Sequence, residues 1–134
     1  MSGLIKKLCE NLNIEIPIKD KDKSYLIEII DGVEIKLWDL GPGFYFHCNL
    51  AKCLEKKREA FFTHIMRANL LGQATGKARI GLDKEEKFLT LSYNIDYEVT
   101  YIEFKEMIED FVNYINYWRD EITRYKEKIE ASIL

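Results

Sequence analysis

The chain has 134 residues, the length of one ordinary domain, and a globule of that size buries roughly two-thirds of its unfolded surface without staples. Hydrophobic residues make up 47 % and charged residues 32 %, with 7 Gly and 2 Pro, which excludes a disordered, collagen-like or low-complexity chain. The net charge of −3 is unevenly spread: −2 over residues 1–50, +5 over 51–80 and −6 over 81–134. An acidic whole disfavours non-specific nucleic-acid binding, which depends on cations neutralising phosphates.

The N-terminus begins with helical spacing. Leu4, Ile5, Leu8, Cys9 and Leu12 recur every three or four residues, and Ser2 is placed to cap the start. Pro17 and the charged run Lys19–Lys23 predict an exposed connector. From Tyr25 the period changes to two, with Tyr25, Ile27 and Ile29 on one face and Leu26, Glu28 and Ile30 on the other. Asp31-Gly32 signals a tight hairpin turn, and Val33, Ile35 and Leu37 continue on the return strand opposite Glu34, Lys36 and Trp38. Gly41-Pro42-Gly43 breaks the chain before a third strand over 44–50, which completes a meander.

Helical spacing returns over 52–71, with Leu54, Phe61, Phe62, Ile65, Met66 and Leu70 as the apolar set and Gly72 placed to end the helix. Two more strands are predicted over 79–82 and 88–97. Thr100-Tyr-Ile-Glu103 is a capping box opening a long helix. Its apolar positions Phe104, Ile108, Phe111, Ile115, Trp118, Ile122, Tyr125 and Ile129 alternate spacings of four and three, a heptad stripe. The expected fold is therefore α+β in one domain over 1–134: order α-β-β-β-α-β-β-α, an antiparallel sheet packed with helices.

Constellations for chemistry are weak. Gly72–Lys77 resembles a phosphate loop, but only three residues separate Gly72 from Gly76, and Ala78 replaces the Ser or Thr that would hold magnesium. His47, Cys48, Cys53 and His64 are the one candidate soft-metal cluster, without a second finger-like pair; a packed thiol and a strand histidine are the simpler reading. A nucleophilic pair of Cys53 with His64, or Cys48 with His47, lacks any sign of an oxyanion loop. Glu85/Glu86 and Asp120/Glu121 are expected to be solvated. The basic group Lys52, Lys56, Lys57, Arg58, Arg67, Lys77 and Arg79 is read as the solvated face of the middle helix rather than a nucleic-acid site. No enzyme, cofactor or metal is expected. Apolar residues on both faces of the meander are more suggestive, because a sheet covered on one side alternates more cleanly. Either helices cover both faces, or part of the surface awaits a partner.

Arg67-Ala-Asn-Leu-Leu-Gly-Gln-Ala-Thr-Gly-Lys-Ala-Arg-Ile-Gly-Leu-Asp83, followed by a charged turn and Leu89-Thr-Leu-Ser92, resembles the middle signature of the class I type III secretion chaperones, the Tir-chaperone (CesT-like) family. The likeness extends to size, acidic balance, element order and the long last helix, and departs from the family at Lys77-Ala78, where a further glycine pair is common. The resemblance implies a dimeric, non-enzymatic chaperone that works without ATP and holds an extended N-terminal segment of a secreted effector. It implies partner contacts at Leu4, Ile5, Leu8, Leu12, Ile27, Ile29, Trp38, Phe44 and Phe46, and a dimer contact at Phe61, Ile65, Met66, Leu70, Arg79 and Ile80. A heterodimer with a related chaperone is also within the family's range. An alternative reading makes the protein a regulatory subunit whose heptad stripe binds a transcription factor or polymerase component. Three cysteines without a disulfide framework, no signal-like N-terminus and no apolar run near ~20 residues predict a soluble cytosolic protein, and the resemblance implies that this cytoplasm is bacterial.

Overall fold

A computed structural model describes residues 2–30, 32–71 and 78–133, the side chains of 2, 68–71, 132 and 133 excepted. The element order is α1 (Ser2–Leu12), β1 (Ser24–Ile30), β2 (Val33–Asp39), β3 (Phe44–Lys52), α2 (Arg58–Leu71), β4 (Arg79–Leu82), β5 (Phe88–Ile95) and α3 (Tyr101–Ile133). The strands form one five-stranded antiparallel sheet in the order β1-β2-β3-β5-β4, so the fold is the expected α+β arrangement. The Ser2 cap, Asp31, the Gly72 helix stop and the glycine-rich 72–77 stretch lie outside the described residues.

Two boundaries differ from expectation. The middle helix begins at Arg58 rather than at 52, because β3 runs on to Lys52 and Cys53 donates its backbone N–H to Lys87 O at 2.8 Å. Lys57 then takes a left-handed φ of 54°, a conformation that no helix interior holds. The last strand stops at Ile95 and does not reach Tyr97, which is exposed.

The residue contacts divide into two compact units: Met1–Cys48 with Ser92–Val112, and Asn49–Leu91 with Asn113–Leu134. In the first, β1 and β2 pair antiparallel with Tyr25 opposite Leu37 and Ile27 opposite Ile35, while β2 pairs β3 with Leu37 opposite Phe46. Period-two geometry therefore puts Ile27, Ile35, Leu37, Phe44 and Phe46 on one face, and all five are buried. Phe44 lies 4.6 Å from Phe104 between ring centroids, and Phe46 lies 5.6 Å from Phe111 in an edge-on contact. Fully burying such a side chain is worth roughly 1.5–3 kcal/mol, with a further increment from ring geometry. α1 adds Ile5, Leu8 and Cys9 to this core, and Lys7 Nζ sits 4.6 Å above the Tyr101 ring.

Gly43 is required at the β2–β3 turn. Its φ is 96°, and a Cβ there would lie 1.8 Å from the Ile95 carbonyl oxygen, so only a residue without a side chain lets the turn meet the end of β5. The predicted capping box is present: Glu103 N–H donates to Thr100 Oγ1 at 3.2 Å, and Thr100 N–H donates to Glu103 Oε1 at 3.1 Å.

In the second unit, the Phe61 and Tyr125 rings meet at a tilt with centroids 4.8 Å apart, and His64 lies 5.8 Å from Trp118. Arg119 donates to Leu50 O at 3.0 Å and to Asn49 O at 2.9 Å, tying α3 to the end of β3. The heptad stripe is core: Phe104, Ile108, Phe111, Ile115, Trp118, Ile122 and Ile129 are all buried, and Tyr125 is half-buried. The alternative reading of this stripe as a surface for a second partner is therefore corrected. Its regularity comes from packing one long helix, about 50 Å by its rise per residue, against its own chain.

Candidate functional site

The open edge of β1 and the connector before it bring together exposed apolar side chains of the first unit. β1 stands at the end of the sheet order, so one side of its backbone has no strand partner among the described residues. Leu26, opposite Lys36 on the strand face away from the buried Ile27, is 52 % exposed, and Ile30, opposite Val33 at the end of the strand, is 46 % exposed. A register shift between Glu28 and Ile30 bends the strand there and leaves Ile29 half-buried.

The connector runs Ile14-Glu-Ile-Pro-Ile18, with Ile16 half exposed and Ile18 91 % exposed. Residues 14–20 and Leu26, Ile27 and Glu28 wall an open groove of about 570 Å³. The start of β1 is tied down by charge. Asp22 accepts from Ser24 Oγ, from Ser24 N–H at 3.0 Å and from Lys36 Nζ at 3.0 Å. These bonds, led by the Ser24 hydroxyl, hold the Asp22 carboxyl at about 2. Trp38 Nε1 donates to Asp22 O at 3.2 Å, and Lys36 Nζ lies 5.4 Å from the Trp38 ring. Trp38, Tyr45 and His47 share the solvent-side face of β2 and β3, with Trp38 5.5 Å from Tyr45 and 6.5 Å from His47. This polished aromatic face explains why the meander is apolar on both sides.

Of the residues expected to touch a partner, Ile5, Leu8, Ile27, Phe44 and Phe46 are buried in the core, Leu4, Ile29 and Trp38 are half-buried, and Leu12 is exposed. The open surface passes instead to their neighbours Leu26, Ile30, Ile16 and Ile18, the last two in a connector read from sequence only as a charged linker. The alternation of isoleucines at 14, 16 and 18 was the signal available for them. Of the residues expected at a dimer contact, Phe61, Ile65 and Ile80 are buried, Met66 is 70 % exposed, Arg79 is exposed with its Nη1 donating to Ala78 O at 2.9 Å, and the Leu70 side chain lies outside the described residues.

The chemical candidates do not assemble. His47 and Cys48 are consecutive on β3 and so point to opposite faces. Cys53 accepts from Arg58 Nη2 at 3.5 Å, while His64 faces the Trp118 ring. Among the described residues no three His, Cys, Asp or Glu side chains are grouped to hold a metal ion. The basic residues do not form one helix face either: Lys52 ends β3, Lys56 and Lys57 lie in the loop, and of the described ones only Arg58 and Arg67 are on α2. Among the described residues no helix is long and apolar enough to cross a membrane.

The family model described as the Tir chaperone protein (CesT) family matches residues 3–119. Several solved structures share the fold. The ExsC–ExsE complex is 12 % identical with a TM-score of 0.73, over 89 % of this chain and 90 % of that one. The HopA1–SchA chaperone–effector complex is also 12 % identical with a TM-score of 0.67, over 88 % and 91 %. The Yersinia pestis type III secretion chaperone SycH, in complex with a stable fragment of YscM2, is 18 % identical with a TM-score of 0.60, over 85 % and 95 %. No curated protein matches the chain as a relative.

Proposed function

This chain belongs to the Tir chaperone protein (CesT) family, and from that premise we propose that it is a type III secretion chaperone that binds an extended N-terminal segment of a secreted protein and keeps it unfolded for export. The observation that carries the reading is the free backbone edge of β1 flanked by exposed Leu26, Ile30, Ile16 and Ile18. A strand edge offers main-chain hydrogen bonds to any extended sequence, and aliphatic side chains beside it take alternate residues of that sequence. Such binding runs on burial and hydrogen bonding alone, so it needs no nucleotide and no catalytic group.

The working unit under this proposal is a cytoplasmic dimer. Support comes from Met66, a large apolar side chain exposed on α2 beside the buried Phe61 and Ile65. A related chaperone subunit in place of a second copy is the alternative pairing. The test is co-expression with secreted proteins encoded beside the gene, in buffer without ATP. A stoichiometric complex in which the client's N-terminal segment resists protease is expected. Failure of every neighbouring client to bind overturns the assignment. Met66→Glu is expected to halve the mass in light scattering, and a dimer that survives it removes α2 as the contact.

A further inference from the structure

The groove at β1 has two walls, and only one of them is a strand. Residues 14–20 run beside the edge, yet the described backbone bond between this connector and β1 is Asp20 N–H to Ser24 O at 2.8 Å, at the very start of the strand. Pro17 has no N–H to donate, so the connector is a poor partner for the edge it borders and leaves that edge free. Ile18 is almost fully in water and Ile16 half so, an arrangement that costs solvation in the free protein. The charges in the lining are Glu15, Asp20 and Glu28 against Lys19. Glu28 also accepts from Gly32 N–H at 3.2 Å. The groove is thus aliphatic with an acidic surplus.

We propose that residues 14–20 are the second wall of a peptide groove, clamping an extended segment against the edge of β1, and that the groove selects segments in which aliphatic residues alternate with Lys or Arg. The inference rests on the reading of the protein as a binder of extended segments and adds to it the wall, Ile16 and Ile18, and the preferred charge. Apolar side chains of the occupant cover Ile16, Ile18 and Leu26, while its cations face Glu15, Asp20 and Glu28.

The test uses the full chain and two blocked, fluorescein-labelled peptides matched to the seven residues of β1, one alternating isoleucine with lysine and one alternating isoleucine with glutamate. Anisotropy is expected to show the lysine peptide binding at least tenfold more tightly at low salt, and the gap narrowing as salt rises. Hydrogen exchange of the complex is expected to slow amides in both 14–20 and 25–30. The double substitution Ile16→Ser with Ile18→Ser, at side chains too exposed to hold the fold, is expected to weaken binding roughly tenfold or more, the loss of two newly covered aliphatic side chains. Equal affinity for the two peptides overturns the charge selection. Unchanged affinity of the double variant, or slowing confined to 25–30, overturns the connector wall while leaving strand addition standing. Absence of slowing at β1 with either peptide overturns both the wall and the edge as the route of client binding, whereas a co-expressed client that binds elsewhere preserves the chaperone assignment.

Discussion

Replacing Phe111 by alanine tests whether the heptad stripe of α3 is core. Phe111 is 1 % exposed and meets Phe46 edge-on, so the substitution removes a ring from a packed site and leaves a cavity. Core phenylalanine-to-alanine changes cost about 3–5 kcal/mol, a large part of the ~5–15 kcal/mol that holds a typical domain. The unfolding entropy of a 134-residue chain, at about 2.1 cal/mol/K per residue, is about 0.28 kcal/mol/K, so a loss of ~4 kcal/mol lowers Tm by about 14 °C. Differential scanning calorimetry and urea titration, at one fixed protein concentration because a dimer's stability depends on it, measure the loss. Ile102→Ser on the same helix is the internal comparison: that side chain is 69 % exposed, and its removal is expected to change stability by no more than about 0.5 kcal/mol. If Phe111→Ala costs under ~1 kcal/mol, or matches Ile102→Ser, the stripe is not core and the case against a second partner on α3 fails.

Three further outcomes are expected. Asp22 is held at about 2 in the fold against an ordinary value of 3.8, so its contribution is present above pH 4 and is lost as pH falls from 4 toward 2. Asp22→Asn should remove that segment of the acid-unfolding profile, and an unchanged profile would discount its bonds to Ser24 and Lys36. Gly43→Ala places a methyl against the Ile95 carbonyl at a left-handed φ, and a loss of at least about 2 kcal/mol is expected in urea titration. Of the three thiols, Cys9 and Cys48 are buried, and burial pushes the Cys9 thiol up, whereas Cys53 is part-exposed beside Arg58. A thiol reagent should therefore label one cysteine quickly in the native protein and the other two only on unfolding; fast labelling at Cys9 would contradict its place in the core.

The element order was legible in the sequence because each element carries its own local signal. The period of two from Tyr25, the Gly41-Pro-Gly43 break and the Thr100/Glu103 box are properties of a few neighbouring residues, and the structure follows all three. Helical spacing over 52–57 misled, because Leu54 is buried without being helical: it sits in a loop held by Cys53 and Lys87. No local pattern carries a hydrogen bond to a residue more than thirty positions away.

Sequence alone determined the alternation of α and β elements and the family signature around Arg67–Asp83. Only the tertiary structure decided which apolar residues are core and which are surface. Phe46 and Ile18 look equally apolar in the sequence, but one is shut against Phe111 and the other stands in water. The reason is that burial depends on what lies across the sheet or beyond its edge. β1 is an edge because, among the described residues, only β2 is its strand neighbour, a fact of chain topology that β1's own residues do not encode.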